Sequence, residues 1–247
     1  GGGKLVFPGI ASLENIKEAH GYRILSHAKS TWGITHGNPV WELLTEGAQL
    51  TAPDFIVNVT LNSEKAITGV FAGELRAAHA RGAEHAKETA MRAVREPFDI
   101  VITTNSGYPL DRNVYQTIKG ISAAASIVRG GGAIIAAAEC IDGIPAGSHF
   151  HELLKRAGTP ARALELIATA GFSMQDQWQV QLQAEIQMRA DVYLYSHRLS
   201  EDEIRTTMLK PCDRIEGTLA DLLQEYGPDA RICVLPEGPQ TIPYVEA

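Results

Sequence analysis

Asp99-Ile100-Val101-Ile102-Thr103-Thr104-Asn105-Ser106-Gly107-Tyr108-Pro109-Leu110-Asp111-Arg112-Asn113-Val114-Tyr115-Gln116-Thr117-Ile118-Lys119 is the stretch on which the fold turns. Residues 99–103 carry a β-branched apolar run and read as a short buried strand. Gly107 and Pro109 then punctuate a loop. Asp111 is of the right type to cap the helix that follows. Gln116 and Lys119 lie three apart, so they share one face of that helix, flanked by Tyr115. A helix that starts just past the carboxyl end of a strand is where open α/β sheets bind ligands. Lys119 offers a cation there, and Gln116 offers both a donor and an acceptor. By spacing alone, the same residues also make an ordinary solvated helix face.

Downstream of Pro97 the pattern continues as short apolar strands alternating with helices. Strands are expected at 100–103, 133–137, 192–195 and 232–235. Helices are expected at 113–128, 149–156, 161–170, 177–188, 201–208 and 218–226. That alternation implies a parallel sheet with right-handed crossovers. Gly130-Gly131-Gly132 precedes a strand, whereas phosphate-binding loops follow one, so it reads as a turn after a helix end.

Upstream of Pro97 the pattern is less regular. Leu5-Val6-Phe7 is a short strand candidate, and Ser12 can cap a helix reaching to about Leu25. Asn38-Pro39 opens another helix by the cap-then-proline rule. Residues 55–61 and 66–72, separated by Asn62-Ser63-Glu64-Lys65, read as a hairpin. A long helix rich in Ala, Arg, Glu and His is expected from Glu74 to about Arg95. The expected fold is therefore α/β. A mostly parallel sheet flanked by helices (97–247) follows a partial N-terminal α/β segment that carries a β-hairpin (1–96).

Composition narrows the class. The chain has 247 residues, 45% of them hydrophobic, enough for a sizeable core. A net charge of −7 argues against a nucleic-acid partner, which would call for a basic face. No run of about eighteen apolar residues appears, so no membrane span is expected, and no signal peptide is evident. Cys140, Cys212 and Cys233 are widely spaced and odd in number, with neither metal spacing nor an obvious disulfide set. A cytoplasmic location is the natural expectation. The chain opens without Met on three glycines and a lysine, as a tag remnant or an internal fragment would.

Several segments together resemble the lactate racemase family, in particular its C-terminal portion. They are Gly-Tyr-Pro-Leu-Asp at 107–111 and Tyr-Gln-Thr-Ile-Lys-Gly at 115–120, Gly1-Gly2-Gly3-Lys4, then Pro8-Gly9-Ile10-Ala11-Ser12 and His20. Asp176-Gln177-Trp178-Gln179, Asn38-Pro39-Val40 and Phe55-Ile56-Val57-Asn58-Val59 also fit, in the right order over most of the chain. The resemblance implies a nickel-pincer nucleotide cofactor (pyridinium-3-thioamide-5-thiocarboxylic acid mononucleotide nickel). It implies racemisation or epimerisation of a small, lactate-like 2-hydroxy acid by reversible hydride transfer to that cofactor.

By the same resemblance, Lys4 is the residue joined covalently to the cofactor and His20 is the protein ligand of nickel. Tyr115, Gln116, Lys119 and Trp178 bind substrate, with Gln116 and Lys119 acting on its oxygens. Each also has a plainer reading. Lys4 could be a frayed, solvated lysine. His20, spaced with Leu13, Ile16 and Ile24, could be a satisfied core histidine, and Trp178 a core tryptophan. His149-Phe150-His151 lacks a third ligand and reads as a solvent-facing helix start, and His79 and His85 are expected to face solvent. The family's catalytic histidine pair falls outside this chain, so the resemblance implies a missing N-terminal half and an isolated fragment without activity. The competing readings are another nickel-pincer enzyme, a lyase or isomerase, and a non-catalytic binding module on the same fold.

Overall fold

The computed structural model describes residues 2–145 and 147–246. Gly1 of the opening motif lies outside the described residues. The chain divides into two compact units, one running to Met91 and the other starting at Arg92.

In the first unit, Gly2–Leu5 form a 3-10 helix rather than leading into a strand. α1 (Leu13–Ala19) starts at Ser12, whose side chain caps Asn15 N–H. The helix expected to reach Leu25 breaks at His20–Gly21, where Gly21 is extended, and resumes as α2 (Tyr22–Leu25). α3 (Pro39–Gln49) begins as its sequence dictates: Asn38 accepts from Val40 and Trp41 N–H, and proline occupies the first turn. β1 (Ile56–Leu61) and β2 (Ile67–Gly73) form the expected antiparallel hairpin. One hairpin face packs on α4 (Leu75–Ala90). The other carries Val57, Val59, Leu61, Ile67 and Val70, which are 45–63% exposed.

The helix expected to run to Arg95 ends at Ala90. Met91–Val94 is instead a strand, β3. It pairs with a strand at the far end of the chain, β9 (Ile242–Val245). That pairing bridges some 150 residues, too far for local pattern to show.

The second unit holds a five-stranded parallel sheet. Its strands are β4 (Phe98–Thr104), β5 (Val128–Ala137), β6 (Ala190–Tyr195), β7 (Lys210–Pro211) and β8 (Ile232–Leu235), in the order β7-β6-β5-β4-β8. The helices between them are α5 (Val114–Ala125), α6 (His149–Ala157), α7 (Pro160–Ala168), α8 (Gln177–Gln187), α9 (Glu201–Thr206) and α10 (Ile215–Tyr226). Strand residues alternate between faces. Ile100 and Ile102 of β4 join Leu219, Leu222 and Leu223 of α10 in one cluster. Thr103 points the other way and reaches the Gly120 carbonyl of α5. α5 in turn packs on α8.

Gly130-Gly131-Gly132 is not a turn. It lies inside β5, at a bulge where the register jumps from Phe98↔Val128 to Ile100↔Ala133. A Cβ on Gly132 would stand 2.6 Å from the Asp99 carbonyl oxygen, so only glycine lets the two strands approach there. Among the described residues, no helix is long and apolar enough to cross a membrane.

Candidate functional site

The residues singled out in the sequence fall into two groups, one in each unit. In the second unit, Asn113 rather than Asp111 caps α5: its side chain accepts the Gln116 N–H at 3.0 Å. Asp111 is buried at the carboxyl edge of the sheet, where it accepts the Glu139 N–H at 3.0 Å. Asn105, at the end of β4, accepts the Gly120 N–H at 2.9 Å and donates to the Leu110 carbonyl. The loop after the strand is thus tied to the helix that carries the candidate residues.

On α5, Tyr115 and Gln116 are half-buried and Lys119 is exposed. The Tyr115 ring meets Phe150 of α6 edge-on, with centroids 5.3 Å apart at 80°. Trp178, in the first turn of α8, donates its Nε1–H to the Tyr115 hydroxyl at 2.9 Å. Tyr115 and Trp178, 63 residues apart in sequence, therefore form one unit of structure. Burial raises the Tyr115 pKa, the Trp178 N–H opposes that rise, and the Asp176 carboxylate adds to it. The phenol is held in its protonated form. Asp176, which opens α8 in a left-handed conformation (φ 64°), has its own carboxyl pKa raised by burial.

In the first unit, Lys4 sits in the 3-10 helix between α3 and α4. Gly2 adopts φ +62°, and a Cβ on it would meet the His79 ring at 2.3 Å. A Cβ on Gly3 would meet the Ala48 Cβ at 2.9 Å. The glycines therefore seat the segment against both helices, and Lys4 projects from a packed turn rather than a frayed end. A cavity of about 260 Å³ beside it is lined by Gly3, Lys4, Asn38, Trp41, Thr45 and His79, among others.

His20 caps the C-terminus of α1, half-buried, with Nδ1 2.9 Å from the Ile16 carbonyl. A carbonyl can only accept, so the proton is on Nδ1 and the neutral ring keeps its lone pair on Nε2. Burial pushes the His20 pKa below the ordinary value. The Ile16 carbonyl opposes this, and the nearby Lys4 ammonium adds to it.

His79 and His85, expected to face solvent, do not. His79 accepts the Trp41 Nε1–H at 3.4 Å, and burial lowers its pKa. His85 packs on Phe71, with centroids 5.4 Å apart. The spacing of His79 with Leu75, Ala78 and Gly82 on α4 was the available sign. His149 is exposed as expected, while Nε2 of His151 lies 2.9 Å from Thr206 Oγ1. Among the described residues, no group of three or more His, Cys, Asp or Glu side chains is placed to hold a metal ion.

The depressed pKa values carry a sign that titration can read. A histidine whose pKa is lowered on folding binds fewer protons than in the unfolded chain. Its stabilising contribution is present above the unfolded value of about 6.5 and lost as pH falls toward the folded one. The melting temperature of the chain should therefore fall on acidification through that range. His20→Gln and His79→Gln should each flatten part of the decline, and slopes identical to wild type would contradict the burial argument.

The sequence model of the lactate racemase C-terminal domain matches residues 93–242, more than half of the chain. The chain belongs to the lactate racemase family. A lactate racemase of Thermoanaerobacterium thermosaccharolyticum is 32% identical over 244 residues, covering 98% of this chain and 57% of that protein. A lactate racemase of Lactiplantibacillus plantarum is 32% identical over 240 residues, covering 96% and 56%. The structure of the lactate racemase apoprotein from the former organism superposes with a TM-score of 0.92 at 31% identity, over 100% of this chain and 59% of that one. The chain thus spans a little over half the length of the lactate racemases it matches.

Proposed function

We propose that this chain is the C-terminal portion of a racemase or epimerase of a small 2-hydroxy acid that works with a nickel-pincer nucleotide joined to Lys4. The observation that carries this reading is the state of His20: Nδ1–H is committed to the Ile16 carbonyl, the lone pair sits on Nε2, and Lys4 is close enough to depress its pKa. Imidazole in that tautomer is a good nickel ligand. The chain's own side chains form no cage for a metal among the described residues. A pincer nucleotide carries its own sulfur and carbon donors and asks the protein for one nitrogen, which the imidazole of His20 can supply. The donor set fits the group.

When bound, such a cofactor supplies a reversible hydride acceptor for the substrate's C2. The residues of this chain do the rest of the holding. Lys4 tethers the nucleotide through its amine, which removes the entropy of keeping it in register. His20 ligates the metal. Trp178 Nε1 can only donate, so Tyr115 accepts from it and directs its own phenolic hydrogen to another acceptor, here an oxygen of the acid. Gln116 donates an amide hydrogen to the same group of oxygens, and Lys119 supplies the cation for the carboxylate. The Trp178 indole keeps water away.

The bases that take the hydroxyl proton on either face belong, in this reading, to the part of the protein that precedes this chain. The greater length of the relatives supports such a part. So does the outer hairpin face of Val57, Val59, Leu61, Ile67 and Val70, which calls for a covering layer. The isolated chain is then inactive. The free cysteines suit a reducing cytoplasm.

The test is mass spectrometry of the full-length protein made together with the cofactor's biosynthetic enzymes. A nickel- and sulfur-containing adduct is expected on Lys4, absent in Lys4→Ala, while His20→Ala retains the organic adduct but loses nickel. Turnover of one of a panel of chiral 2-hydroxy acids should accompany the adduct. Unmodified Lys4 in the full-length protein would refute the reading.

A further inference from the structure

We propose that Gln179 is a positioning residue for Tyr115, holding the proposed substrate-facing side of α5 in place; this rests on the function proposed above. α8 buries glutamines at 177, 179, 181 and 183. A buried amide is costly unless it is bonded, so each is best understood through what it holds. Gln183 donates to the Thr207 carbonyl and Gln187 to the Met208 carbonyl, both at 2.6 Å. These two bonds fasten the C-terminal half of α8 to the segment after α9.

Gln179 holds a different object. Its Nε2 donates to the main-chain carbonyl of Tyr115 at 2.9 Å. A carbonyl has two lone pairs, so this bond is made in addition to any helical one. The preceding residue, Trp178, donates to the hydroxyl of the same tyrosine, also at 2.9 Å. Two consecutive residues of α8 therefore grip Tyr115 at its backbone and at the tip of its ring. Held at the hydroxyl alone, the residue could shift with its helix. Held at the backbone alone, the ring could change rotamer. With both ends fixed and Phe150 against the ring, one pose remains. Gln116 follows Tyr115 directly and Lys119 lies one turn on, so the same grip sets where they stand.

Gln179→Met keeps the length of the side chain and removes the donor. In the cofactor-loaded full-length protein it should raise KM for the 2-hydroxy acid roughly 3- to 10-fold, with kcat changed less than about twofold. Gln187→Met removes α8 bonds at the opposite end of the helix, the one to the Met208 carbonyl and the one accepted from Gln183. It should lower the melting temperature similarly and leave KM at the wild-type value. Gln179→Glu supplies a second reading: a protonated carboxyl can donate to the Tyr115 carbonyl and an ionised one repels it. Its KM relative to wild type should climb with pH. An unchanged KM in Gln179→Met, an equal rise in Gln187→Met, or a pH-independent ratio for Gln179→Glu would each overturn the assignment. Absence of turnover in the loaded wild-type protein would instead overturn the function on which it rests.

Discussion

Phe150→Ala should destabilise the second unit by about 3–5 kcal/mol. Phe150 is fully buried (0% exposed) and is among the largest side chains enclosed by this structure. Its removal forfeits the burial free energy of a whole ring and adds the cost of the cavity left between α6 and its neighbours. For a unit of this size the melting temperature should drop by roughly 6–20 °C. Phe150→Leu, which refills much of the volume, should cost less than half as much. The variant also withdraws the edge-on partner of Tyr115, so the loss should appear at the proposed substrate face as well as in the melting curve. Urea denaturation of both variants measures the difference. A loss below about 1 kcal/mol would mean that the site collapses around the hole far more readily than packed interiors do.

Lys119→Ala should lower kcat/KM of the loaded full-length protein by between about 30-fold and several thousand-fold, equivalent to 2–5 kcal/mol. The size of this effect discriminates between two environments. Lys119 is exposed in the chain described here, and an ion pair in open solvent contributes only about 0–1 kcal/mol. A bound carboxylate shut away from water and robbed of its cation loses far more. A fall below about fivefold would place the substrate carboxylate in solvent and remove Lys119 as its principal partner. Lys119→Arg separates charge from shape, because a planar guanidinium does not reproduce the compact ammonium.

Much of the architecture was legible because local chemistry and tertiary packing agree. Asn38-Pro39 opens α3 as cap and first-turn residues must, and the apolar runs around Asn62 become the hairpin. The alternation after Pro97 becomes the parallel sheet. The misreadings have physical causes. The run Leu5-Val6-Phe7 is apolar enough for a strand, but the glycines before it let the chain coil onto α3 and α4 instead. Three consecutive glycines look like a turn, but Gly132 is demanded by the approach of the neighbouring strand, a constraint that exists only once β4 and β5 are paired. β3 is invisible locally because its partner is β9 at the other end of the chain. Asp111 has the chemistry of a helix cap, but the chain passes it and caps with Asn113. In the site, helical spacing was enough to place Tyr115, Gln116 and Lys119 on one helix. It could not show that Trp178 and Gln179 reach across to Tyr115, since such contacts depend on how α8 docks.

The outer side of the β1–β2 hairpin has a practical meaning for anyone handling these residues by themselves. A water-facing stripe of valine, isoleucine and leucine on a ribbon whose two strands pair with no third strand among the described residues is a template for stacking one molecule on the next. The colloidal behaviour of such a preparation, its turbidity and shelf life, will be governed by that stripe and not by the well-packed parallel sheet. Replacing Val57 and Val59 with threonine would keep the β-branched backbone preference while making the ribbon wettable.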